Sequence, residues 1–594
     1  MEVASAARDS GSTVRSPRSS QSWIAIFLSY AILLGGMITM GITTYMVIVS
    51  YSSLPYADGW DEVGAAAYGW SQLNPAWLWV QHNEHRVVIP KIFLAVDLSL
   101  FHASQKFLLA SIFAIQLLHL ILLGWSMRVL GHWRGAIWRT GIGLAAFCLF
   151  GPPQWENFVW GFQACFVLPG LFATLSFVGL LMYWTDSEKP SGPRSWVWLV
   201  VANLAALGAT YSLANGSLLW PILIAAAILL HLRLSATLSF VLTGTVSTVL
   251  YFFHYFSPPW HADPMLSLRE PLRLLQFLAM YFGSSFVRGN AHLAVLLGLV
   301  GVTIALAVIL GFRLYVRSRG AFAIQLVLTL LFCAGTAFIT ALGRLNFGIS
   351  ESFASRYQTV ALLFWCCLGL MALRYATGTG RSRIPLIAVQ ICLLAAMAIG
   401  ASRVDSPLAG ARLHGFRLNQ TAMSLLTGVS DEETFKTALG HEPHQLVAQI
   451  KYLRNHRLSV FSDAAYLQLD LPLTSSFRVV TPEECRGAVE STTPLESKRT
   501  SAWGITGWAW DYQHQRPPVR VMATVNGVIT GLAALGEGRP AIRAANPYVR
   551  TDWAGFAGYV RDVRPAIPVN VYAVLDDNPP QACLIATVDY SEVK

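Results

Sequence analysis

As far as residue 402 the chain alternates long apolar runs with short polar segments, and beyond that point the pattern changes. Apolar runs of near-spanning length occupy residues 23–49, 107–130, 140–151, 162–184, 196–213, 217–232, 236–256, 291–312, 321–342, 355–373 and 384–402. About 20 apolar residues in a helix cross a bilayer core. The pattern therefore predicts a polytopic α-helical membrane protein with about eleven transmembrane helices, the third being short. The first run is longer than a signal-peptide core and no small-residue cleavage site follows it, so it reads as an uncleaved helix. Residues 1–22 before it are Ser-rich and carry Arg8, Arg15 and Arg18, which suits a disordered cytoplasmic tail.

After Ser402 the expected organisation is a helical linker region over 403–474 and a β domain over 475–594. Leu446, Val447, Ile450 and Leu453 have helical spacing, which predicts an amphipathic helix within 442–456. Later the period becomes two. Val519, Val521, Ala523 and Val525 share a strand face, Asn526-Gly527 is a hairpin turn, and Val569, Val571, Ala573 and Leu575 repeat the alternation. A small antiparallel β-sandwich is expected, giving a soluble α+β region behind the membrane domain.

Composition supports this picture. The 594 residues are 54% hydrophobic and only 12% charged, against about 25% charged in soluble domains. The net charge of +10 does not point to nucleic acid, because the basic residues sit in short segments between apolar runs. Those segments hold Arg134 with Arg139, Lys189 with Arg194, Arg233, Arg313 with Arg317 and Arg319, and Arg374 with Arg381 and Arg383. The positive-inside rule makes all five cytoplasmic. The opposite face then receives the first loop (52–106), the loops 257–290 and 343–358, and the carboxyl-terminal third.

Every unusual polar cluster falls on that same face. The first loop carries Asp58, Trp60, Asp61 and Glu62, then His82, Asn83, Glu84, His85 and Arg86, with Lys91 behind them. The other loops add Glu156, Asn157, Gln163, Tyr211, Asn215, Arg344, Arg356 and Tyr357. Ionisable groups near membrane depth mark sites by default, so these residues form the candidate site. Ordinary readings compete with it. Asp58 and Asp61 suit helix caps, Arg344 and Arg356 suit snorkelling to headgroups, and the tryptophans suit an interfacial belt. His82, Glu84 and His85 have donors for a metal, but three converging ligands are not evident, and metal use stays open. Of eight cysteines, only Cys485 and Cys583 lie in the soluble third, where an oxidising compartment would pair them.

The segments PYADGWDE, QHNEHRVVIPK, QWENFVWGFQ, YSLANGSLLWP and ASRYQ, with many membrane helices and a soluble domain on one face, resemble the GT-C superfamily of integral-membrane glycosyltransferases. More narrowly they resemble a bacterial group with an appended carboxyl-terminal β-sandwich. GWAWD, GRPAIRAANP and WAGF are similar to that module, although Ala541 stands where an Asp is usual. The resemblance implies a bacterial inner-membrane protein with its site and carboxyl-terminal domain in the periplasm. It implies transfer of a sugar from a polyprenyl-phosphate-linked donor to a periplasmic glycan, lipid or protein acceptor. The roles implied are a carboxylate base, Asp58 in preference to Asp61, and a phosphate site of Arg86, Lys91, Arg344, Arg356 and Tyr357. Trp60, Glu62, His82, Asn83, Glu84, His85, Glu156, Asn157, Gln163, Tyr211 and Asn215 are left to hold sugar or acceptor. Some members of the superfamily use a divalent cation; no other cofactor is implied. Two alternatives stand beside this reading: a transporter or flippase of lipid-linked sugars, and a non-catalytic scaffold for glycan assembly. Against a transporter, the two halves show no convincing internal repeat.

Overall fold

All eleven apolar runs are helical in the computed structural model. It describes residues 23–69, 74–187, 195–258, 264–287, 289–313, 320–378, 384–495, 501–565 and 567–589. The expected amino-terminal tail and the basic residues Lys189, Arg194, Arg317, Arg319, Arg381 and Arg383 lie outside them.

Eight helices among the described residues are long and apolar enough to cross a membrane. Three of the eleven expected spans form shorter apolar helices, Gly135–Leu149, Ser195–Thr210 and Leu219–Leu229, of 15, 16 and 11 residues. Each of these apolar runs extends past its helix into a turn. The first ends where Pro152 and Pro153 cannot continue helical hydrogen bonding. The third begins only after the 3₁₀ turn Ala214–Leu218. Two helices inside the polar loops, Val88–Leu100 and Pro271–Gly283, have no counterpart among the expected spans.

The first loop is held between the membrane helices and the region after residue 402. Leu54, Trp60, Val63 and Leu98 share a core with Leu418, Leu426, Leu453 and Phe461. The helix Asp405–Thr427 reaches this loop by crossing the end of Trp23–Val49 at Gly415, where a β-carbon would stand 2.2 Å from the Ser50 carbonyl oxygen. The amphipathic helix is Val447–Asn455, preceded by a 3₁₀ turn. Leu453 on the helix and Leu446 at the end of the turn are buried, whereas Val447 is exposed.

The carboxyl-terminal strands are β1 (Arg478–Val480), β2 (Cys485–Leu495), β3 (Ala502–Asp511), β4 (Arg520–Val525), β5 (Val528–Glu537), β6 (Gly555–Val560), β7 (Val569–Asp577) and β8 (Pro580–Val588). They form one sheet in the order β1-β8-β7-β4-β5-β6-β3-β2, parallel only between β1 and β8. The expected sandwich of two sheets is thus a single sheet curled into a half-barrel. The expected inward positions Val521, Ala523, Val525, Val569, Val571, Ala573 and Leu575 fill its own core. Alternate positions such as Met522, Leu532 and Val574 belong instead to the core shared with the preceding helices. With helices covering one face and the curl burying the other, no second sheet is needed. Asn526 and Gly527 both take positive φ (52° and 76°), as the β4–β5 hairpin requires.

Cys485 near one end of the sheet is disulfide-bonded to Cys583 near the other, with 6.2 Å between their α-carbons across 98 residues of sequence. Closing a loop of that length stabilises the fold by about 3–5 kcal/mol in the chain-entropy model. Cys485→Ser with Cys583→Ser should lower the melting temperature of the purified chain. In protein isolated without reductant, neither thiol should react with an alkylating probe. Labelling of both would place this domain in a reducing compartment.

Candidate active site

The segments that the topology reading gathers on one face enclose a cavity of about 600 Å³. Its walls come from the first loop, the 160–166 segment, the Leu213–Asn215 turn, the end of helix Leu234–Phe252 and residues 336–360. Asp58, His82, Asn83, Glu84, His85, Gln163, Asn215, Arg344, Arg356 and Tyr357 all line it. Residues 300 positions apart in sequence therefore share one space.

Asp58 lies in a one-turn 3₁₀ helix, Ala57–Gly59, which runs into the helix Trp60–Ala67. Neither Asp58 nor Asp61 caps these helices: the capping positions are Tyr56 and Gly59, with no side-chain cap hydrogen bond. Both carboxylates turn to His82. His82 Nδ1 is 2.8 Å from Asp61 Oδ2, and Nε2 is 3.7 Å from Asp58 Oδ1. The geometry decides against the capping reading. Ala57 takes φ +43° immediately before Asp58, left-handed backbone that a non-glycine residue adopts at some energetic cost. His82 is presented by a tight turn in which His82 and His85 exchange both backbone hydrogen bonds and Asn83 takes φ +47°.

Burial by itself would lower the His82 pKa, but the Asp61 hydrogen bond at 2.8 Å and the negative charge of Asp58 and Asp61 outweigh it and raise the pKa to about 9. The imidazole is therefore cationic at neutral pH, a bridge between two carboxylates. A pKa raised above its unfolded value of 6.5 contributes stability that is complete below pH 6.5 and lost as pH rises through about 9. Hydrogen exchange of the 80–87 backbone should accelerate between pH 7 and 9 beyond the intrinsic rate. In His82→Gln that extra alkaline step should disappear. An identical pH profile in the variant would assign the step elsewhere.

Two arginines complete the walls. Arg344 ends the helix Ala321–Arg344 and meets Glu84 at 2.9 Å, and Glu84 in turn lies 3.4 Å from His85 Nε2. Arg356 meets Glu351 at 3.2 Å and sits over the Tyr357 ring at 5.2 Å. Glu156 and Asn157 act behind it. The Arg356 backbone N–H donates to Glu156 Oε2 at 3.1 Å, and Asn157 Nδ2 donates to the Arg356 carbonyl at 2.9 Å and to Thr359 Oγ1 at 2.7 Å. These two residues hold the Arg356 backbone and do not present their side chains to the cavity.

Other residues expected at the site are engaged elsewhere. Arg86 spends its guanidinium on the carbonyls of Tyr251, Trp79 and Phe253, fastening the loop to the end of helix Leu234–Phe252. Lys91 Nζ donates to the carbonyls of Val80 (2.7 Å) and Trp77 (3.1 Å) and lies 4.0 Å from the Trp77 ring centre. Burial lowers its pKa to about 8, against the opposing charge of Glu62 and Asp61. Glu62 accepts from Trp77 Nε1 at 2.5 Å, and burial lifts its carboxyl to about 7. Trp60 is 1% exposed, a core residue. The Tyr211 hydroxyl donates to the Ser247 carbonyl. These groups build the loop that carries Asp58 and His82.

Several contributors escape sequence reading. Glu351, the partner of Arg356, has a faint signal as an isolated acid five residues before it. Tyr56 packs edge-on against Trp160 (4.9 Å) and His414 (4.5 Å), tying the segment before Asp58 to the helix Asp405–Thr427. Nothing local announces a contact across that distance in sequence.

Among the described residues, no group of three His, Cys, Asp or Glu side chains is placed to hold a metal ion. Asp58 and Asp61 converge on His82. Compared with known proteins, the chain matches no family model and no curated sequence, so the reading of the site rests on its geometry.

Proposed function

We propose that the chain is an integral-membrane glycosyltransferase of the GT-C kind, transferring a sugar from a polyprenyl-phosphate donor to a glycan, lipid or protein acceptor. Its site and carboxyl-terminal domain would face the periplasm of a bacterial inner membrane. One observation carries the reading: a carboxylate, Asp58, and two arginines, Arg344 and Arg356, line a single cavity among apolar helices. Sugar transfer asks for that combination. The acceptor hydroxyl oxygen bonds to the anomeric carbon while Asp58 takes its proton. The bond from that carbon to the phosphate oxygen breaks, its electron pair leaves with the phosphate, and guanidinium forks neutralise the growing charge. His82⁺, held by Asp61, fixes the direction of the Asp58 side chain.

The test is mass spectrometry of envelope glycans and lipid-linked sugars in cells with and without the gene. A glycan lacking one sugar, with its lipid-linked donor accumulated, is the expected result. Loss of all outer-face donor would instead indicate a flippase, and unchanged pools would remove the proposal.

A further inference from the structure

We infer that Gln163 and Asn215 form a subsite for a neutral, hydroxyl-rich sugar ring within the cavity, an inference that rests on reading the cavity as a donor site. Gln163 is 0% exposed, lines the cavity, and has no hydrogen-bond partner at either amide atom. Asn215 is 8% exposed in the same wall. Its Oδ1 has no partner, and its Nδ2 makes one long contact, 3.3 Å to Thr336 Oγ1. Orphan amide atoms also occur away from the cavity, at Gln325 for example, but those of Gln163 and Asn215 coincide with one cavity wall, where a polar ligand would satisfy them. A primary amide offers two donors and an acceptor. Sugar hydroxyls both donate and accept, so neighbouring hydroxyls on a ring can engage both halves of an amide.

The remaining walls suit the apolar face of such a ring. Tyr281 and Tyr357 stack at 5.8 Å, and Phe166 lies 6.1 Å from Tyr357, all three lining the cavity. Charge narrows the class further. The two lining arginines already face carboxylates, Glu84 and Glu351, and are assigned to the donor phosphate. His82, the third lining cation, is already held between Asp58 and Asp61, so a sugar carrying its own carboxylate would meet neutral amides and cations that each face a carboxylate. The site therefore favours a neutral hexose over a uronic acid. A volume of about 600 Å³ accommodates a ring and its phosphate, within the roughly 300–1,000 Å³ usual for small-molecule sites.

The experiment uses the purified full-length chain in lipid nanodiscs. Binding of three probes is followed by tryptophan fluorescence: bare polyprenyl phosphate, the same lipid carrying a neutral hexose, and the same lipid carrying a hexuronic acid. The hexose lipid should bind about tenfold tighter than the other two, as expected of one or two hydrogen bonds gained. Gln163→Leu and Asn215→Leu should each erase most of that preference while still binding the bare lipid. Should a leucine variant lose bare-lipid binding as well, Gln163→Ser and Asn215→Ser repeat the comparison. Equal affinity for hexose and bare lipid, a preference that survives these substitutions, or uronate bound as tightly as hexose overturns the subsite and leaves the phosphate reading standing. No binding of any probe overturns both.

Discussion

Asp58→Asn should lower the turnover of sugar transfer by about 100-fold to 10,000-fold, the range for losing a positioned general base. Asparagine keeps the shape of the side chain and cannot accept the acceptor's proton. The fold should survive, because His82 keeps its 2.8 Å contact with Asp61 and only the 3.7 Å approach to Asp58 changes. Donor binding should be nearly unchanged, so the loss should appear in kcat. Asp61→Asn is the informative companion: it weakens the closer carboxylate–imidazolium contact and should loosen the 80–87 turn, with a smaller effect on turnover. If Asp61→Asn abolishes transfer and Asp58→Asn does not, the two roles are exchanged. Near-normal activity in both would make the loop structural and remove the catalytic proposal.

The division of labour among the polar residues explains how much of the site was legible in the sequence. Residue types and the segments that carry them were readable, because membrane helices announce themselves by composition and leave the polar clusters in the connections between them. Which polar group faces the cavity was not. Arg86 and Arg344 look alike in sequence, yet Arg86 is consumed by three backbone carbonyls and Arg344 meets a carboxylate in the cavity wall. The difference lies in where helix Leu234–Phe252 ends, a matter of packing rather than of local pattern. Trp60 fails for a related reason: an aromatic beside acids suits a sugar platform, but the helices after residue 402 cover it.

The carboxyl-terminal region shows the same limit at the level of fold. Alternation in Val521, Ala523 and Val525 identified a strand and its buried face. It could not say whether the opposite face meets a second sheet or a layer of helices, since both demand apolar residues such as Met522 and Val574. The phase of the 447–455 helix slipped because a 3₁₀ turn precedes it, which turns Val447 outward. Local period is readable from sequence, whereas the identity of the covering layer is a long-range property.

Arg344→Ala and Arg356→Ala should each weaken binding of a polyprenyl-phosphate lipid and reduce kcat/KM by roughly 10-fold to 100-fold, the scale of one charge-assisted hydrogen bond lost. Unlike the Asp58 variant, they should change KM and kcat together, because the phosphate is charged in the ground state and gains charge as it departs. The two need not be equal. Removing Arg344 leaves Glu84 beside His85 in the cavity wall, so an added carboxylate charge should further repel the phosphate. Glu84→Gln in the Arg344→Ala background should then recover part of the binding. Arg356 has its backbone fixed by Glu156 and Asn157, so Arg356→Lys tests geometry separately from charge: lysine keeps the charge without the planar fork and should restore binding more than turnover. Unchanged lipid-phosphate affinity in both alanine variants would show that the donor phosphate lies elsewhere, and the cavity would lose its assignment as a donor site.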